Sequence, residues 1–362
     1  MRQILIIFLF ILVCQISEAQ DHAAPRVILI TLDGMRWQEL FTGADSLLIF
    51  NSAYVRDTSE LQQRFWRTTP EDRRKALFPF LWNEIVSKGQ LHGNRFLGSK
   101  VNLTNQMWFS YPGYNEILTG KADDDRINSN DKIENPNVTF LEVAQHSEQY
   151  KDQVAAFGSW DVFPYIINEK RSGVPVNAGF ELAKGARITA REEFLNQLQT
   201  QIPSPWNAVR LDAFTHHFAL EYMRRKHPKI VYIAYGETDD FAHDGNYEAY
   251  LTAANNTDGF IRDLFAYTEE DPFYKGRTVF VITTDHGRGT VPPETWKSHG
   301  SEVAGAGQVW VVVFGPHVRP LGEIRTEEQL YSAQIAPVIY GVLGLKNPDK
   351  EASMPIDGLF TH

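Results

Sequence analysis

The sequence predicts an α/β fold, a largely parallel central sheet sandwiched by helices. Four short runs rich in Val and Ile are apolar throughout rather than alternating, which suits strands buried on both faces. Each run ends in Gly, Asp or another turn-forming residue, and helical apolar spacing fills the stretches between them. The chain is also large enough to enclose such a sheet, with 362 residues of which 43% are hydrophobic and 12% aromatic.

The elements follow in order. Met1-Arg2 is a basic start, residues 4–13 an apolar run too short to span a bilayer, and Ser17-Glu18-Ala19 a small-x-small cleavage site. Residues 1–19 therefore read as a signal peptide, and 20–362 as the mature domain of an exported, periplasmic or secreted protein. Cys14 raises the rival of a lipoprotein anchor, but Val13 is a poor fit to the small residue expected before it; an uncleaved anchor is the other alternative. The first strand, 26–32, runs into Asp33-Gly34. Thr69-Pro70-Glu71-Asp72 starts a helix, with a capping hydroxyl and Pro in the first turn, leading into 76–86. The stretch from about 44 to 104 reads as an insertion, because it separates two candidate site motifs. Helical spacing over 211–225 precedes a strand at 230–235, and spacing over 247–267 precedes another at 278–283. A fourth run, 309–314, ends at Gly315-Pro316, and 336–345 reads as a closing helix.

Composition excludes several classes. A charged fraction of 22% beside 23 Phe, 14 Tyr and 8 Trp lies far from disordered chains. With 35 Lys and Arg against 45 Asp and Glu, the net charge of -10 argues against a sequence-independent grip on nucleic acid. The single cysteine lies in the leader, so the mature chain has neither disulfides nor thiolate ligands. No later segment is long and apolar enough for a transmembrane helix.

In open parallel sheets ligands bind beyond the carboxyl ends of the strands. Asp33 follows the first run, Asp239 and His243 follow the second at i, i+4, and Asp285-His286 follow the third; His299 lies thirteen residues past His286. Asp and His without Cys suit zinc or manganese, and a carboxylate-rich site with several histidines can hold two ions. Each residue alone has a bland reading as a turn, a helix-surface pair or a packed ring. The ordered set is what raises the odds.

That order, Asp33-Gly34-Met35-Arg36, Ser110-Tyr111-Pro112-Gly113-Tyr114 with Leu118-Thr119-Gly120, Asp239-x-x-x-His243, Asp285-His286-Gly287 and His299-Gly300, resembles the alkaline phosphatase superfamily. The closest local likeness is to its type I phosphodiesterase and nucleotide pyrophosphatase branch. The resemblance spans residues 26–345 and implies the fold of that superfamily, with two divalent metal ions. It implies one ion on Asp239, His243 and His299 and the other on Asp33, Asp285, His286 and the Ser110 oxygen, with Ser110 as nucleophile. Asn130 is the implied amide donor to a non-bridging oxygen, with Asn128 close behind; the bland reading is a polar turn over 128–131.

Two features depart from the phosphodiesterases. Only twelve residues separate His286 from His299, a spacing closer to the phosphoglycerate mutase and phosphopentomutase branch, and the nucleophile is Ser rather than Thr. Sulfatases need Cys or Ser followed by x-Pro-x-Arg; here Tyr114 stands where the Arg would be, which argues against a sulfatase. The expected activity is therefore hydrolysis of a small phosphate ester through a phosphoseryl intermediate. The alternatives are a phosphomutase, disfavoured by the export signal, and a non-catalytic binding protein, disfavoured by retention of the ligand set. Zinc is the expected ion, with manganese second.

Other residues have plainer readings. His216 and His217 lie in a helical pattern and read as structural, and 123–125 as a solvated loop. Asp240 and Asp244 read as groups that orient ligands, and Glu237 as a weak rival to Asp239. Arg36 reads as a structural partner of the Asp33 turn. The aromatic residues Trp108, Phe109, Tyr111 and Tyr114 either line the site or belong to the core. The sequons at Asn102, Asn137 and Asn255 matter only in a glycosylating host.

Overall fold

The computed structural model describes residues 24–185 and 187–361, so the expected signal peptide and Cys14 lie outside the described residues. Its strands are β1 (Arg26–Leu32), β2 (Gly89–His92), β3 (Ser99–Asn102), β4 (Val154–Gly158), β5 (Val176–Ala178), β6 (Ile230–Tyr235), β7 (Thr278–Thr283), β8 (Gln308–Val309), β9 (Val311–Phe314), β10 (Gly322–Glu323) and β11 (Glu328–Tyr331). Eight form the main sheet in the order β10-β2-β9-β7-β1-β6-β4-β5, and β11-β3-β8 form a second.

The continuous apolar runs are explained by two cores. Along β1, Ile28, Ile30 and Leu32 enter one core with Trp82, Tyr250 and Leu251, while Val27 and Leu29 enter the other with Ile117, Leu118 and Ile339. Each face is covered by helices, so alternation of direction produces no alternation of polarity. The helix Tyr247–Glu270 covers the first face; Ser110–Thr119 and Ile335–Leu343 cover the second.

Strand β1 pairs in parallel with both β6 and β7, with Leu32 opposite Tyr235 and Thr31 opposite Thr283. The carboxyl ends of all three are therefore level, and the residues that follow them emerge at one edge. The fourth run is different: β9 is antiparallel to β7. A parallel return requires a crossover to the far edge. Between β7 and β9 there is only a 3₁₀ turn, Pro293–Lys297, and the short β8, so the chain re-enters from the edge it left.

The expected helices form at Asp212–Lys226, Tyr247–Glu270 and Ile335–Leu343. The one expected to run through 76–86 is broken. It starts at Pro70 with Thr69 Oγ1 accepting from Asp72 N at 3.1 Å, but stops at Leu77. Pro79 disfavours helical geometry at the preceding residue, and Phe78 is indeed displaced to φ -122, ψ 67. A separate π-helical turn, Leu81–Ile85, follows, with Asp258 accepting from the N–H groups of Phe80 and Leu81 at 2.7 and 2.9 Å. Of the 44–104 stretch, Ser46–Ile49, Thr58–Phe65 and Pro70–Leu77 are helical, β2 lies inside the main sheet and β3 is central in the second.

Candidate functional site

The level strand ends bring the candidate residues together. Asp33 follows β1 directly, Asp239 and His243 lie on the helix Glu237–His243 that follows β6, and Asp285-His286 follow β7. Gly34 turns the chain at φ 59, where a Cβ would stand 2.6 Å from Asp239 Oδ1, so both its conformation and the close approach of Asp239 require glycine. Gly34 N then donates to Asp285 Oδ1 at 3.0 Å, and Thr238 Oγ1 donates to Asp33 O at 2.6 Å, which ties the three strand ends to one another.

Ser110 is the first residue of the helix Ser110–Thr119. A Cβ on Gly113 would stand 2.2 Å from Asp285 O, so the first turn of this helix rests directly on the Asp285 backbone. That contact brings Ser110 Oγ to 3.4 Å from His286 Nε2 and 3.5 Å from Asp33 Oδ1. Asn130 Oδ1 accepts from Tyr111 N at 3.0 Å, which leaves its NH2 group as the donor beside the same helix start. Asn128 instead donates its NH2 to Asp125 O at 3.4 Å.

Two groups of donor atoms result, Asp33/Asp285/His286 and Asp239/His243/His299, each with its atoms within 4.8 Å of one another. His286 Nε2 stands 3.3 Å from Asp33 Oδ1 and 3.6 Å from both Asp239 Oδ1 and Asp285 Oδ2. Its Nδ1 meets Gly287 O at 2.8 Å, so Nδ1 donates there and Nε2 is the ring atom turned to the cluster. His243 Nε2 faces His299 Nε2 at 2.9 Å and Asp239 Oδ2 at 3.1 Å.

The electrostatics call for a cation. Burial, and then Asp239, push Asp33 well above the ordinary carboxylate range; burial, and then Asp33, do the same to Asp285. Asp285 Oδ2 is buried with no hydrogen-bond donor. Burial, and then His286, pull His299 down to about 2, which keeps its ring neutral, the form that ligates. Converging carboxylates, an orphaned buried oxygen and imidazole lone pairs facing one another are a poor arrangement for an apo protein and a good one for divalent ions bound by N and O.

Several residues that support this centre are not legible in the sequence. Arg288 is buried; it donates to Gly34 O at 3.2 Å, to Lys297 O at 2.7 Å and to both the backbone and side-chain oxygens of Asp239. Burial alone would raise Asp239, but Arg288, with His243 and His299, holds it well below the usual range. Tyr114 OH donates to Asp33 Oδ2 at 2.8 Å. Asp212 accepts from the N–H groups of Gly236 and Glu237 at 2.7 and 3.1 Å, anchoring the helix that carries Asp239. The sequence signal for Tyr114 was its place inside the Ser110 motif and for Arg288 its place directly after Asp285-His286-Gly287; for Asp212 there was none.

Other expectations are revised. Glu237 accepts from Asp212 N at 3.0 Å and lies outside both ligand groups. Asp244 accepts from Trp206 Nε1 at 3.1 Å rather than holding a ligand, while burial and then Asp239 push Asp240 up to about 8. His216, by contrast, is structural as expected: it is a core residue, stacked 4.4 Å from Phe260 with Nδ1 at 3.1 Å from Tyr235 OH. The 123–125 loop is stapled rather than free: Asp123 Oδ2 accepts from Asn137 Nδ2 at 2.6 Å and Asp124 Oδ2 from Gln106 N at 2.8 Å. Asn137 is buried, which removes it as a glycosylation acceptor. Tyr111 and Tyr114 are buried core residues, and Trp108 and Phe109 are half-buried.

Arg36 is structural, but its partners are Glu39 at 3.0 Å and Asp45 at 3.0 Å rather than the Asp33 turn. Burial, and then Asp45, outweigh Arg36 and push Glu39 up to about 7. Below that pH Glu39 carries its proton, and loss of Arg36 strands no charge on it; above it the parent holds the carboxylate ionised against Arg36, and without Arg36 the buried group must either stay ionised with no cation beside it or be forced to take up a proton, each at a cost in stability. Arg36→Met is therefore expected to destabilise the fold by about 3–5 kcal/mol at pH 8.5, and by clearly less at pH 5.5, in urea unfolding at the two pH values. Equal destabilisation at both would show that Glu39 is not the group involved.

Residues 188–347 match the family model of the Metalloenzyme superfamily. No curated protein matches the sequence. Among solved structures, wild-type alkaline phosphatase PafA is similar with a TM-score of 0.59 at 9% identity, covering 93% of this chain and 99% of that one. A 2-O GAG sulfatase is similar with a TM-score of 0.55 at 12% identity, covering 92% of this chain and 73% of that one. The lipoteichoic acid synthase LtaP from Listeria monocytogenes is similar with a TM-score of 0.55 at 13% identity, covering 91% and 74%. At these identities the likeness is one of fold.

Proposed function

We propose that this chain, which carries a Metalloenzyme superfamily segment on an alkaline phosphatase fold, is an exported two-metal phosphoric ester hydrolase acting through a phosphoseryl intermediate. The observation that carries the reading is the position of Ser110 Oγ, within 3.5 Å of Asp33 and His286 at the mouth of two adjacent groups of metal-ligating atoms. Asp33, Asp285 and His286, with the Ser110 oxygen, would hold one ion, and Asp239, His243 and His299 the other. Zinc suits this donor set best and manganese next.

Bound there, two divalent ions supply Lewis acidity, which lowers the pKa of an attacking hydroxyl and offsets charge at phosphorus. The residues themselves do the rest. Ser110 Oγ attacks phosphorus in line with the leaving oxygen; the Oγ–P bond forms as the ester P–O bond breaks. Water then attacks phosphorus from the vacated side and breaks the Oγ–P bond, restoring Ser110. Asn130, its oxygen fixed by Tyr111 N, directs its NH2 to a non-bridging oxygen. Arg288 and Tyr114 hold Asp239 and Asp33 in place throughout.

A diester is favoured over a monoester. A monoester brings an additional negative charge that Arg or Lys usually meets, and the cations that follow the Asp33 and Ser110 motifs are committed: Lys121 to Asp349, Arg126 to Asp123 and Arg36 to Glu39. Against sulfate esters stands Tyr114, buried on Asp33 where the sulfatase pattern has Arg. With zinc-loaded protein, kcat/KM is expected to be higher for a nitrophenyl methyl or thymidine phosphodiester than for the nitrophenyl monoester or sulfate. A ratio strongly favouring the monoester or the sulfate would overturn that preference.

A further inference from the structure

Glu116, on the inner side of the Ser110–Thr119 helix, is completely buried, and no Lys or Arg among the described residues pairs with it. Its carboxylate is met mainly by N–H groups, with the Thr104 side chain adding to them. Thr104 N reaches both oxygens at 2.8 and 3.0 Å, Asn105 N and Asn105 Nδ2 donate at 2.9 and 2.8 Å, and Ala333 N donates at 3.1 Å. Asn105 is buried as well, and passes the constraint onward: its Oδ1 accepts from the N–H groups of Met107 and Trp108 at 3.1 and 3.0 Å.

Trp108 is held in an unfavourable backbone conformation. Its φ is 51, in the left-handed region that a bulky L-residue rarely adopts. Such a conformation persists only where the surroundings over-determine it. Here Asn105 fixes the Trp108 N–H, and the Trp108 carbonyl accepts from Gly300 N at 2.9 Å. Gly300 follows His299, and Ser110 lies two residues beyond Trp108. The left-handed residue thus spans the gap between the loop that ends in the nucleophile and the loop that carries His299. Rotating it to negative φ would break the Gly300 bond and swing the peptide that leads into Ser110.

We infer that Glu116, Asn105 and the left-handed Trp108 form a brace that ties the loop leading into Ser110 to the loop carrying His299, and so sets the Ser110 hydroxyl beside Asp33 and His286, making all three positioning residues. The inference rests on Ser110 being the nucleophile. The brace supplies no ligand atom itself, and the Ser110 oxygen it positions would be only one of four donors to its ion, the other three being Asp33, Asp285 and His286, so the brace acts chiefly on where the hydroxyl stands while the ions stay bound.

The test compares Asn105→Ala, Asn105→Ser, Trp108→Ala and Trp108→Gly with the parent and with Ser110→Ala, in the full chain, measuring kcat, KM, bound metal and melting temperature. Assays run well below every melting transition. Asn105→Ala is expected to lose about 10–100-fold in kcat, as a displacement near 1 Å does, with KM and metal content unchanged. Asn105→Ser keeps an oxygen acceptor for the two N–H groups and is expected to recover much of that loss. Trp108→Gly and Trp108→Ala both remove the indole, but only Gly adopts the left-handed backbone freely; Gly is expected to be the faster by at least about fivefold, the order of the left-handed penalty for an L-residue. Parent-like kcat in Asn105→Ala, loss of metal in step with its activity, or Trp108→Ala equal to or faster than Trp108→Gly would each overturn the brace. Should Asn105→Ala fail to fold, the Trp108 pair decides. Turnover surviving in Ser110→Ala would instead overturn the functional reading itself.

Discussion

Ser110→Ala is expected to reduce kcat by roughly 10⁴–10⁶-fold, the range seen when a covalent nucleophile is deleted, while bound metal and melting temperature stay close to the parent. The side chain is small and its two polar contacts are long, at 3.4 and 3.5 Å, so little packing or hydrogen bonding is lost with it. What is lost is an entire step, because no phosphoseryl species can form. Mass spectrometry of the parent quenched during turnover is expected to show a phosphate on the peptide containing Ser110. A variant with near-parent rate would mean that water attacks phosphorus directly, leaving Ser110 at most a ligand.

Asp239→Ala and Asp285→Ala are each expected to lose mainly one of two ions, with nearly complete loss of activity in both. The two carboxylates belong to different groups of donor atoms, so their removal should separate the ions. Metal analysis of the purified variants reads this directly, and unchanged stoichiometry in both would sink the assignment. Stability supplies a second readout. An ion at a thousand times its Kd stabilises the folded state by about 4 kcal/mol, so chelation should lower the melting temperature of the parent more than that of either variant.

The sheet was legible because burial on both faces leaves a continuous apolar run, and the clustering of donor atoms was legible because Asp33, Asp239, His243, Asp285 and His286 follow such runs, with His299 in the loop beyond the third. The antiparallel direction of β9 was not: direction depends on whether a crossover helix returns the chain to the far edge, and a Val-rich run reads the same both ways. The break at Phe78 could have been found from Pro79.

The sequence by itself determined the α/β class, where β1, β6 and β7 end, and the Asp and His residues whose donor atoms the structure brings together there. Those features are local: a strand's apolar run, a carboxylate in the next turn, an Asp and a His one helical turn apart. The tertiary structure alone decided what holds them. Arg288 reaches Asp239, Asp212 anchors the helix bearing that same residue, and Glu116 reaches through Asn105 to Trp108 and so to Gly300. Most of these partners are far apart in the chain, and a buried carboxylate satisfied by N–H groups carries no sequence pattern of its own. The tertiary structure also sorted the aromatic residues around Ser110, placing Tyr111 and Tyr114 in the core and Trp108 and Phe109 half-buried, because side-chain burial depends on which helix covers which face of the sheet.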